Sequence, residues 1–137
     1  MTTPGTPTPC PGAMLRVKGV SYYFGTGEAR SRVLTDNNLE VMPGELVILS
    51  GKSGSGKTTL LTLMGGLRKI QEGDVEIWDE ERAGYRALHG LGEKDLVDVR
   101  NKIGFIFQRH NLFDSLTAVQ NVRMARQLRP PESRDGL

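Results

Sequence analysis

A chain of 137 residues holds one domain or part of one, and a domain of that size buries about two thirds of the surface its unfolded form exposes. Its 18 basic and 16 acidic side chains leave a net charge of +2 with no basic cluster, which argues against a nucleic-acid partner. A single cysteine, Cys10, excludes a disulfide or zinc framework, and no apolar run approaches the ~20 residues of a membrane-spanning helix.

Residues 1–13 are rich in Pro, Thr and Gly and have too little to bury, so they read as a disordered extension. With neither a basic start nor an apolar core they are no secretory signal, and the chain reads as cytoplasmic. Residues 14–20 alternate as a strand; the aromatic cluster Tyr22-Tyr23-Phe24 and a glycine turn at 25–27 follow. A second, weaker strand covers 33–41, interrupted by Asn37-Asn38. Pro43-Gly44 turns the chain into a short apolar run, 45–50, that reads as a buried strand. A helix over 59–64 ends near Gly65-Gly66. Residues 73–78 alternate strictly as a half-exposed strand, and 79–92, polar and punctuated by glycine, read as a surface loop. Residues 93–102 form a short helix with Leu96 and Val99 inward, 103–107 a buried strand, and 117–128 a last helix. Arg123, Arg126 and Arg129, at helical spacing, mark a solvated face.

Residues 51–58, Gly51-Lys52-Ser53-Gly54-Ser55-Gly56-Lys57-Thr58, match G-x-x-x-x-G-K-[ST], the P-loop, between a predicted strand and a predicted helix that opens at Thr59. Glycines let successive N–H groups curl round a phosphate chain, and the helix N-terminus points unpaired N–H groups at the same anion. The pattern assigns Lys57 to the β- and γ-phosphates and Thr58 to Mg²⁺. His89 and His110 have no ligand-spaced partner and read as structural.

Residues 103–113, centred on Gln108, followed by Leu116-Thr117-Ala118 and Asn121-Val122, look like the Q-loop of ABC-transporter ATPases. The P-loop, with Thr59-Leu60-Leu61 behind it and Gly65-Gly66-Leu67 closing its helix, is similar to the same family. Gly65-Gly66-Leu67-Arg68 and Gln71-Glu72-Gly73 lean toward the DevA type within the DevA, lipoprotein-release and macrolide-efflux exporters. The resemblance covers about residues 14–129 and implies a P-loop α/β fold: an N-terminal antiparallel β-subdomain joined to the first part of a nucleotide-binding core. It further implies ATP and Mg²⁺ as cofactors, with Gly51 to Thr59 round the phosphates and Lys57 and Gln108 as catalytic residues. Thr58 and Gln108 would serve the metal. Phe24 falls where the family stacks an aromatic on adenine, with Tyr23 the alternative if the cluster is displaced by one. Leu112 and Phe113 would meet a transmembrane permease subunit, and a second ATP-binding subunit would complete a dimer. The chain would then sit on the inner face of the cell membrane through its partner.

The sequence departs from the family after Gln108. It contains no LSGGQ signature, no apolar run ending in acidic residues (Walker B) and no switch histidine. The expectation is therefore an N-terminal portion, residues 14–137, that holds the phosphate cradle without a group to orient water, and that alone does not turn over ATP. Strands that would lie mid-sheet would be left with open edges. Two functions fit: an ATP-binding subunit that powers export, or a truncated or non-catalytic nucleotide-binding or interaction module.

Overall fold

The computed structural model describes residues 10–107 and 112–127. Strands β1 (Leu15–Phe24), β2 (Ser31–Val41), β3 (Glu72–Asp79) and β4 (Gly84–Ala87) form an antiparallel sheet in the order β2-β1-β3-β4. Helices α1 (Lys57–Met64), α2 (Glu93–Lys102) and α3 (Ala118–Gln127), with a single 3-10 turn at Gly27–Ala29, complete the described elements. Side chains alternate across a strand, so β1 sends Val17 and, beyond a bulge, Val20 into one core with Val75 of β3 and Leu34 of β2. Leu60, Leu63 and Met64, at helical spacing on α1, and Val99 of α2 close that core. The opposite face is a charged ladder. There Arg16 stands 3.4 Å from Glu40 and 3.9 Å from Glu76, and its guanidinium lies 3.9 Å from the centre of the Tyr85 ring.

The bulge has a specific chemistry. The β1–β3 register slips between Lys18 and Ser21, and β3 crosses so close that a Cβ on Gly73 would strike the carbonyls of Lys18 and Gly19. Gly19 N–H donates to Asn38 Oδ1 at 2.9 Å, and Asn37 Nδ2 donates to Val20 O at 3.3 Å. The two asparagines that weaken the strand pattern of 33–41 thus patch the ladder across its irregular step. They sit inside an eleven-residue strand.

Two further expectations change. Residues 45–50 and 103–107, read as buried strands, pair with no strand among the described residues. Val47 and Leu49 turn inward, but Leu46 and Ile48 are 87% and 81% exposed, and Ile106 is 81% exposed. Burial on both faces needs a second layer of chain, and none of the described residues supplies it. Within 79–92, read as loop, lies β4, held by the edge-to-face contact of Trp78 and Tyr85, with ring centres 5.2 Å apart. Of the predicted extension 1–13, residues 1–9 lie outside the described residues, whereas Ala13 is buried.

Ion pairs dock α2 on the sheet. Arg86 of β4 meets Asp95 at 3.1 Å, and Asp79 at the end of β3 accepts Lys102 Nζ at 3.0 Å. Asp79 Oδ1 also takes the N–H groups of Glu81 (3.1 Å) and Arg82 (3.4 Å). Burial alone would raise the Asp79 carboxyl, but the hydrogen bond and charge of Lys102, with those N–H groups, hold it below its ordinary 3.8. Burial alone would lower Lys102, but Glu81 and Asp79 hold it above its ordinary 10.5. The carboxylate's contribution is present above 3.8 and lost as pH falls through its lowered value. The ammonium's is present below 10.5 and lost as pH rises through its raised value. Asp79→Ala is expected to lower unfolding free energy by about 1–3 kcal/mol near neutral pH. Urea titrations at descending pH should show the difference from wild type shrinking in acid.

Candidate functional site

The glycine-rich loop connects residues 45–50 to α1, and its geometry follows from Gly56. This residue caps α1 at φ 90°, and a Cβ there would lie 2.7 Å from Leu34 Cδ2 and 3.0 Å from Val33 O. Only glycine combines the left-handed backbone with so close an approach to β2. Gly56 brings no side-chain cap, so the first-turn N–H groups of α1 keep no side-chain acceptor there. The N–H of Ser55 closes a turn on Lys52 O at 3.2 Å. Lys57 Nζ folds back over the loop and donates to Gly51 O and Lys52 O, each at 2.7 Å, and to Ser55 Oγ at 3.1 Å. One ammonium is therefore fixed beside an open, positively polarised helix end, an arrangement suited to a polyanion. Lys52, Ser53, Gly54 and Thr58 are exposed, whereas Thr59 is buried and its carbonyl accepts the Thr62 hydroxyl at 2.8 Å.

The aromatic cluster ends β1. Tyr22 packs against the core and meets Phe24 edge to face at 5.3 Å. The Tyr23 ring carries the Arg30 guanidinium at 3.8 Å and that of Arg32 at 5.4 Å. Phe24, 39% exposed, is the most open of the three.

Gln108 and His110 lie outside the described residues. The chain approaching them is tied to the far end of α1. Arg100 Nε donates to Gly66 O at 2.9 Å, and the Phe105 ring lies so near Gly65 that a Cβ there would come within 3.0 Å. Beyond them, Leu112 and Phe113 are exposed. Asn121 gathers this segment: its Oδ1 accepts Phe113 N–H at 2.9 Å, and its Nδ2 donates to the carbonyls of Phe113, Leu116 and Thr117 at 3.1–3.2 Å. Thr117 and Gln120 form a reciprocal capping box that starts α3. His89 serves structure, its Nδ1 lying 2.6 Å from Gly73 O. Among the described residues no group of three or more His, Cys, Asp or Glu could hold a metal ion.

Sequence reasoning missed Gln71, whose side chain reaches the backbone of Tyr23. A glutamine in a loop carries no periodic signal that would have revealed it.

A P-loop with its helix packed on an antiparallel sheet is the architecture of part of an ABC ATPase cassette. The ABC transporter family matches residues 34–135, more than half of the chain, and the chain belongs to that family. It is 45% identical over 111 residues to a lipoprotein-releasing system ATP-binding protein, LolD 2, of Chlorobaculum tepidum, covering 79% of this chain and 44% of that protein. It is 40% identical over 112 residues to the macrolide export ATP-binding/permease protein MacB of Aggregatibacter actinomycetemcomitans, covering 81% and 16%. Among solved structures it resembles the dimeric post-hydrolysis state of the ATP-binding cassette MJ0796 bound to ADP and Pi. The TM-score is 0.74 at 35% identity, covering 90% of this chain and 51% of that one. The chain spans about half the length of that cassette and less than half of these two relatives.

Gly56→Ala tests the docking of the loop. The added methyl meets Leu34 and Val33 in a backbone conformation that alanine adopts at a cost, so a loss of about 1–3 kcal/mol in unfolding free energy is expected. Thermal or urea denaturation followed by circular dichroism measures it.

Proposed function

We propose that this chain binds Mg-ATP through residues 51–59 and is the ATP-binding part of an ABC exporter whose nucleotide cycle drives a transmembrane partner. The observation that carries this reading is Lys57 Nζ, held by two carbonyls beside the open N-terminus of α1. A phosphate oxygen arriving there replaces Ser55 Oγ, the longest of the three contacts, while the two carbonyls keep the ammonium in place. The residues present fit a magnesium nucleotide: Thr58 is exposed in the first turn to take the metal, and the glycines leave room for phosphate. Gln108 is assigned to the same metal and, with Lys57, to catalysis. Bound Mg²⁺ would neutralise charge on the phosphates.

The lipoprotein-releasing and macrolide-export roles of LolD 2 and MacB support an exporter, and the dimer of MJ0796 with ADP and Pi supports ATP as substrate and a second ATP-binding subunit. Exposed Leu112 and Phe113, on a turn that Asn121 holds, support a docking surface for the permease. No helix among the described residues is long and apolar enough to cross a membrane. A place on the cytoplasmic face through that permease follows from this reading.

Lys57→Ala is expected to remove most ATP affinity, because it deletes the cation facing the β- and γ-phosphates. Equal binding of labelled ATP by folded wild type and variant would sink the assignment. Phe24→Ala is expected to weaken ATP by about 1–3 kcal/mol, the size of a base–aromatic stack, with pyrophosphate binding nearly unchanged. Were Tyr23→Ala to show that loss instead, the adenine would belong on the neighbouring ring.

A further inference from the structure

The loop between α1 and β3 carries two side chains to which nothing above gives a role in binding, and both end on the aromatic segment of β1. Pairing of β3 with β1 stops at Ser21 and Glu72, so among the described residues the next peptide groups on that edge of β1 have no strand beside them. Gln71 supplies the missing neighbour. Its Oε1 accepts Tyr23 N–H at 2.8 Å, and its Nε2 donates to Tyr23 O at 3.1 Å. One carboxamide reproduces the donor and acceptor of a paired peptide group and fixes the chain immediately before Phe24.

Arg68 approaches the same segment from its side-chain end. Its guanidinium carbon lies 5.1 Å from the centre of the Phe24 ring and 5.9 Å from that of Tyr22. Its backbone is set by the end of α1, where the N–H groups of Leu67 and Arg68 both reach Thr62 O, at 2.9 and 3.2 Å. A cation at that distance is attracted to a ring face.

We propose that Gln71 and Arg68 are positioning residues for a purine-stacking platform at Phe24. Gln71 fixes the backbone that aims the ring, and Arg68 restrains the ring itself. The inference rests on the reading of Phe24 as the ring that meets adenine. A platform ordered before the base arrives spares the binding step that ordering cost. The effect therefore belongs to the base and not to the phosphates, which bind at the other end of α1.

The experiment measures equilibrium binding of Mg-ATP and of Mg-tripolyphosphate, which has no base, to the purified full chain. The variants are Gln71→Ala, Arg68→Ala, Arg68→Lys, Phe24→Ala and each alanine combined with Phe24→Ala. Gln71→Ala is expected to weaken ATP about three- to tenfold. Arg68→Ala is expected to weaken it about two- to fivefold, with Arg68→Lys recovering most of the loss. Tripolyphosphate affinity stays at the wild-type value, and neither alanine adds a loss once Phe24 is gone. Unchanged ATP affinity in both Gln71→Ala and Arg68→Ala overturns the inference alone. So does an equal loss for tripolyphosphate, which marks general loosening of the fold, or a full additional loss in the Phe24→Ala background. Unchanged ATP affinity in Phe24→Ala overturns the stacking reading together with the inference built on it.

Discussion

Burial of one face of α1 against the sheet is the constraint on which the rest of the chain depends. Leu60, Leu63 and Met64 face Val17, Val20, Leu34 and Val75, and apolar side chains of this kind gain about 1.5–3 kcal/mol each on full burial. Once that face is committed, both ends of the helix are committed too. The N-terminus is pressed on β2 through Gly56, which fixes where its unpaired N–H groups point. At the C-terminus, Gly66 turns left-handed at φ 67° and presents its carbonyl to Arg100. A helix of eight residues has little stability of its own. Its orientation at the glycine-rich loop is therefore a property of the sheet and not of the helix.

The polar contacts round that core are placed where the backbone is irregular. Asn38 serves the N–H of Gly19 at the bulge of β1, Gln71 serves Tyr23 where β3 stops pairing, and Asp79 gathers the turn that follows β3. Each supplies a partner to a peptide group that no strand of the described residues reaches, a need set by the cost of leaving such groups unpaired. Their charges and amides thereby set directions for neighbouring segments. Asp79 holds the end of α2 through Lys102, and from there the chain runs toward Gln108.

What was legible in the sequence was local. The loop at 51–58 declared itself because its glycines and Lys57 act through adjacent backbone, and the inward placing of Leu96 and Val99 followed from their spacing on a short helix. What failed was non-local. Residues 45–50 and 103–107 carry strand-like apolar runs, yet a strand needs a neighbour, and composition says nothing of whether one is present. The short β4 was missed because Gly84, Tyr85, Arg86 and Ala87 lack an apolar pattern. Its support comes from Trp78 across the ladder and from Asp95 on a helix. The reach of Gln71 to Tyr23 spans 48 positions and leaves no trace in local pattern.

The bond from Arg100 to the carbonyl of Gly66 joins the helix behind the phosphate loop to the helix that leads toward Gln108. Backbone opening at the end of α1 must break that bond, and opening of α2 must break it as well. That bond couples local opening of the two segments, an effect of the kind amide hydrogen exchange resolves. In contrast, α3 has no buried residue.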